Sequence, residues 1–78
     1  EEEIGIHLVP NPFSESTIIL LDKLANHYKV YDMSGKLVKH EKMNTKHTQI
    51  KRDNLPLGMY FLEVYSDDAV IRQKLIIQ

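Results

Sequence analysis

The chain has no cysteine, so no disulfide staples it. A domain this small buries only about 60% of the surface its unfolded chain exposes and must be held by packing. The missing thiols fit a reduced cytosol and an exported protein equally well. Long apolar runs are missing too: the longest, Ile18-Ile19-Leu20-Leu21, is four residues, against the roughly 20 that a membrane-spanning helix requires. No charge of one sign prevails, since ten Lys and Arg face eleven Asp and Glu for a net charge of −1. That balance excludes the concentrated positive field that nucleic acid or an anionic membrane selects. No basic stretch leads into an apolar one at the start, so no secretory signal peptide is expected within these residues, and Glu1-Glu2-Glu3 reads as a solvated leader. Length is short as well. At 78 residues, against roughly 100–200 for an ordinary domain, one compact module is the ceiling and a two-domain enzyme is excluded. With 42% hydrophobic and 27% charged residues, the composition is that of a soluble folded module and not of a disordered chain.

What is present is a rhythm of short segments rich in Val, Ile, Thr, Tyr and Leu, each bounded by Gly, Asn, Asp, Ser or Pro, which is the pattern of strands. The first strand is expected at residues 6–9, stopped by Pro10-Asn11-Pro12, whose prolines remove two ladder donors and force a corner. Residues 16–21 read as a buried strand. Residues 22–26 are too short for a stable helix and read as a connection, with Asn26 tolerant of a left-handed turn. Residues 27–32 and 37–43 form a hairpin about Met33-Ser34-Gly35-Lys36, where glycine supplies positive φ. Asn44-Thr45 offers a second tight turn into residues 46–51, a half-exposed strand near an edge. After the loop 53–58 comes the clearest alternation in the chain, with Tyr60, Leu62 and Val64 on one face and Phe61, Glu63 and Tyr65 on the other. Ser66-Asp67-Asp68 closes a last hairpin into residues 69–77. Seven strands without a helix predict an all-β fold, a seven-stranded immunoglobulin-like antiparallel β-sandwich.

Residues that carry chemistry elsewhere have plainer explanations here. His7, His27, His40 and His47 show no ligand-like spacing, so no metal site is expected. Asp67-Asp68 are adjacent acids at a hairpin tip, which point apart and serve the turn better than acid-base catalysis. The serines lack a nucleophile elbow. Tyr28, Tyr31, Phe61 and Tyr65 could form a stacking platform for sugars or single-stranded nucleic acid, but there is no basic groove for the latter and cross-strand packing is the better explanation of Tyr65. No cofactor is expected, and the residues alone lead to a small β-sandwich without an active site.

Four stretches read in order change that reading: Val9-Pro10-Asn11-Pro12-Phe13, then Tyr31-Asp32-Met33-Ser34-Gly35-Lys36-Leu37-Val38, then Leu55-Pro56-Leu57-Gly58-Met59-Tyr60, and finally Lys74-Leu75-Ile76-Ile77-Gln78. Together they resemble the type A C-terminal sorting domain of type IX secretion cargo, over about residues 8–78. Residues 1–7 then correspond to a linker close to the cleavage point. Residue by residue, Pro10, Asn11 and Pro12 match the family's early proline motif, Asp32 and Gly35 its hairpin motif, Gly58 and Tyr60 its glycine-x-tyrosine motif, and Lys74, Leu75, Ile76, Ile77 and Gln78 its terminal motif.

The resemblance implies an address label and no catalyst. Such a domain is covalently linked to a larger N-terminal cargo and guides it through the periplasm and across the outer membrane. Its implied partners are the type IX outer-membrane translocon and shuttle components, followed by a cell-surface sortase of the cysteine-peptidase type that acts on the N-terminal linker; nucleic acid is not among them. The implied destination is the cell surface or the extracellular space. The family's fold is the seven-stranded immunoglobulin-like sandwich expected above. The tail, with its alternating apolar residues and lysine, is expected to be read by strand addition at an exposed sheet edge or by capture of its terminus. The alternative function is a retained immunoglobulin-like spacer or carbohydrate-binding module of a surface protein.

Overall fold

The computed structural model describes residues 5–78. It contains β1 (Ile6–Val9), β2 (Ser16–Tyr31), β3 (Leu37–Lys51), β4 (Gly58–Tyr65) and β5 (Val70–Ile77). Among the described residues there is no helix, and every paired strand runs antiparallel to its neighbour. Residues 1–4, which include the whole acidic leader and most of the expected linker, lie outside the described residues; Ile6 and His7, also assigned to the linker, belong to β1.

Five strands stand where seven were expected, because two of the anticipated turns are strand. β2 runs straight through residues 22–26, and β3 through Asn44 and Thr45. The two long strands bend together, with register shifts between Leu20 and Ala25 and between Ala25 and His27. Bulges let a strand change direction without leaving its partner, so no reversal or left-handed residue is needed at Asn26. Two side chains point inward at the bend, Ala25 and Met43, both buried. Beyond it the neighbours change. Residues 16–21 of β2 lie between β1 and residues 47–51 of β3, whereas residues 27–31 lie between residues 37–42 of β3 and β4, with β5 outermost.

One apolar core serves both halves. Ile19 and Ile50 from the first half, Val30, Leu62 and Leu75 from the second, and Phe13 from the corner after the prolines are all sealed from solvent in the same cluster. The alternation of β4 resolves with Tyr60, Leu62 and Val64 inward. In residues 16–21 only alternate side chains are buried: Thr17 and Ile19 face the core, while Ile18 and Leu20 stay 42% exposed on the outer face. The apolar run Ile18-Ile19-Leu20-Leu21 is thus half core and half surface, as pleating demands of any strand with one solvated face.

Candidate functional site: a composite end of the sheet

The β2–β3 hairpin turn is organised by one carboxylate. Asp32 Oδ1 accepts hydrogen bonds from Ser34 N (2.9 Å), Ser34 Oγ (2.7 Å) and Lys36 N (3.0 Å). The Asp32 backbone closes the turn, its N–H donating to Lys36 O and its C=O accepting from Gly35 N. Gly35 sits at φ +90°, a conformation that side chains with a Cβ rarely adopt. The hydrogen bond from the Ser34 hydroxyl, then that from the Lys36 amide, hold the Asp32 carboxyl below its usual pKa.

Tyr60 ties down the loop before β4. Its ring is buried in the core, and its hydroxyl donates to Pro56 O at 2.6 Å. Arg52 Nε reaches Leu55 O at 2.8 Å, and Leu55 N–H returns to Arg52 O at 3.1 Å. Gly58, at φ +146°, takes the chain from this loop into the strand.

The early proline segment and the tail are joined most directly. The Asn11 side chain behaves as a piece of neighbouring strand: its Nδ2 donates to Lys74 O at 3.1 Å, and its Oδ1 accepts from Ile76 N at 3.1 Å. Two residues on, Phe13 continues the ladder as a parallel bridge to Ile77, with Phe13 N donating to Ile76 O (2.9 Å) and Gln78 N donating to Phe13 O (2.8 Å). Thr17, fully buried, anchors the corner by donating to Pro10 O. The prolines, which cannot donate to a ladder, flank the residue whose side chain does the pairing. The outer edge of residues 74–78 is therefore not exposed, and a strand cannot add there without displacing residues 11–13. That corrects the expectation of a bare tail edge.

These pieces are neighbours. Ile77 pairs with Gly58, Leu75 with Tyr60, and Lys74 with Phe61, which pairs in turn with Tyr31 next to the Asp32 turn. An apolar groove of about 340 Å³ runs between the hairpin, through Asp32, Met33 and Val38, and the loop, through Leu55, Leu57 and Tyr60. Met33 is 62% and Leu57 61% exposed along it. Four segments scattered over the chain thus build one end of the molecule. Leu75 and Ile77 point into the core, while Lys74 and Gln78 stay on the surface.

The outer face of the second half carries a row that the residue pattern did not reveal. His40, Lys29, Glu63 and Arg72 are successive cross-strand partners. Glu63, placed by alternation on the solvent face, is buried because it accepts from Tyr65 Oη at one oxygen and from Arg72 Nε and Nη2 at the other. The Tyr65 bond, followed by the Arg72 bonds, holds the Glu63 carboxyl below its ordinary pKa, and the same Tyr65 bond pushes the tyrosine up to about 12. His27 stacks on Tyr65 with ring centroids 4.3 Å apart and meets His40 edge-on at 5.2 Å. Desolvation, then His40 and Lys29, lower its pKa. The only sign of this row in the sequence is a lone acid, Glu63, in an apolar strand, with Arg72 across the last hairpin.

The fold brings His27 and His40 together but leaves His7 and His47 on the other half, and among the described residues no group of three metal-ligand side chains forms. Asp67 accepts from Asn26 Nδ2 at 2.9 Å and Asp68 lies near Ser66 Oγ, both on the last hairpin.

By its fold the chain is a small antiparallel all-β module with a turn-built, composite end. Comparison with protein families is specific: the secretion system C-terminal sorting domain matches residues 7–78. The chain belongs to that family, the sorting domains of type IX secretion. The comparison with curated proteins returned no match. Membership makes the chain a sorting signal, which implies an interaction with the type IX system, a cargo linked on its N-terminal side, and export to the cell surface or the extracellular space.

Proposed function

We propose that this domain acts as a removable label: it conducts its cargo through the periplasm to the outer-membrane translocon and its shuttle components, and a surface sortase then cuts the linker before β1. The domain performs no reaction of its own. One observation carries the reading. The four motif segments that define the resemblance converge on a single end of the sheet, through Phe13 beside Ile77, Gly58 beside Ile77 and the groove between Met33 and Leu57. Residues scattered along a chain that meet at one surface are what a folded recognition epitope requires. The exporter on this reading recognises the assembled end, with the tail clamped by Asn11, and not a loose terminal peptide. On this proposal the two bent strands, each counted as two, give the seven segments of the immunoglobulin-like sandwich that the resemblance implies, although the strands observed are five. The rival reading of a retained spacer or sugar-binding module draws less support, because one side of the Tyr65 ring is stacked against His27 and its hydroxyl is bound to Glu63.

The test is a fusion of residues 1–78 to an inert periplasmic reporter, expressed with and without the type IX machinery. Machinery-dependent appearance of the reporter outside the cell, with the domain absent from the mature product by mass spectrometry, is the expected outcome. Equal export in both strains overturns the label, and a mature product that keeps residues 55–78 favours the spacer.

A further inference from the structure

The two long outer edges of the sheet differ in what covers them. The end of β5 is capped by Asn11 and Phe13, whereas β3 pairs with β2 alone along its 15 residues and, among the described residues, has no strand on its other side. The near-neutral charge of the chain hides an asymmetry that falls on this edge. β3 holds Lys39, Lys42, Lys46 and Lys51 against one acid, Glu41, a net charge of +3, so the rest of the chain carries −4. Lys39 is engaged with Asp53 at 2.6 Å. Lys42, Lys46 and Lys51 are exposed. The bend of β3 turns its two halves toward one another, and Lys42 from one half and Lys51 from the other line a notch of about 230 Å³ above the buried Tyr28, in which Lys39 and the acids Glu41 and Asp53 also take part, for a net charge of +1.

An unpaired edge presents N–H and C=O groups at every second residue and accepts a further strand unless something forbids it. Lysines forbid self-pairing, because two β3 edges laid together would set ammonium groups opposite one another, and like charges in cross-strand positions repel. The same lysines favour an extended segment that bears carboxylates at alternate positions, since its backbone completes the ladder while its side chains meet Lys42, Lys46 and Lys51. A polyanion without a peptide backbone gains only the charge term and leaves the ladder unpaired. We infer that the β3 edge is a docking site for an extended acidic polypeptide strand of a partner protein, separate from the motif-built end.

The test uses the 78-residue chain with three probes: an acetylated ten-residue peptide alternating Glu and Thr, the same peptide with Lys in place of Glu, and heparin as a backbone-free polyanion. The acidic peptide is expected to shift the amide resonances of residues 37–51 selectively and to slow hydrogen exchange at outward-facing β3 amides at least threefold, with affinity falling at least tenfold as salt is raised from dilute buffer to a screening concentration. The Lys peptide should do neither. Replacing Lys42, Lys46 and Lys51 together by Glu should reverse the preference to the Lys peptide by at least tenfold. Should that triple variant fail to fold, Lys46→Glu alone, at an exposed position, should weaken the acidic peptide at least twofold. Absence of a response in residues 37–51 overturns the inference, as does an acidic peptide that matches heparin in effect without slowing exchange at the β3 amides.

Discussion

The covered edge of β5 and the bare edge of β3 show two ways in which one small sheet handles unpaired backbone. At β5 the solution is pairing within the chain: a segment 63 to 65 residues away in sequence supplies an asparagine side chain and a short parallel bridge. At β3 the solution is charge, which keeps identical edges apart and leaves the ladder open. Pairing ties the β5 end into the core through Phe13 and Ile77, so anything that reads that end reads an assembled surface. Charge leaves the β3 edge selective and still available.

The largest effect that would sharpen this comparison is expected from Ile77→Ala. Ile77 is 1% exposed and sits where the parallel bridge, β4 and the core meet, so truncation should cost about 2–5 kcal/mol in denaturant unfolding. A loss much below that range would mean that the tail is not part of the core. Next comes Asn11→Ala, which leaves Ile76 N–H and Lys74 C=O without a partner and should cost about 1–3 kcal/mol. Its signature is faster amide exchange at Ile76 with exchange in β3 unchanged; equal acceleration at both edges would break the distinction. Gly35→Ala tests the hairpin alone. The site at φ +90° has open space around it, so the cost is conformational and should be about 1 kcal/mol by thermal unfolding.

The smallest effect is on pH dependence. The hydrogen bonds of Tyr65 and Arg72 depress the Glu63 carboxyl below the ordinary glutamate value of 4.5. Its contribution to stability is therefore complete above that value and is lost as pH falls through the lower folded value. His27 acts in the same direction higher up: its lowered pKa means that the unfolded chain takes up protons first, so stability declines as pH falls below 6.5 toward the folded value. Denaturation midpoints measured across acidic pH should fall less steeply in Glu63→Gln below the ordinary carboxylate range, and less steeply in His27→Gln between that range and neutrality.

The strand segments themselves were legible because pleating imposes a period of two on any half-buried strand, and residues 6–9, 58–65 and 70–77 carry it plainly. The hairpin at Asp32 and Gly35 was legible because a left-handed residue and a short acceptor side chain leave a local signature. Residues 22–26 and 44–45 misled, because the residues that favour a turn also tolerate a bulge, and only the pairing partner decides between them. β2 and β3 bend in concert, so each holds the other in the ladder. The burial of Glu63 was hidden for a similar reason: a carboxylate on the solvent face leaves solvent only when Tyr65 and Arg72 are placed over it.

By itself the chain of residues determined the kind of structure and the kind of role: all-β from its alternation and turns, and a sorting domain from four motifs in order. The folded arrangement alone decided how those motifs act. Asn11 and Ile76 are far apart along the chain, and no local rule couples them; they meet because β5 lies outermost beside β4 and leaves one edge for residues 11–13 to close. Local propensity acts over a few residues, whereas the satisfaction of backbone hydrogen bonds is a condition on the whole fold.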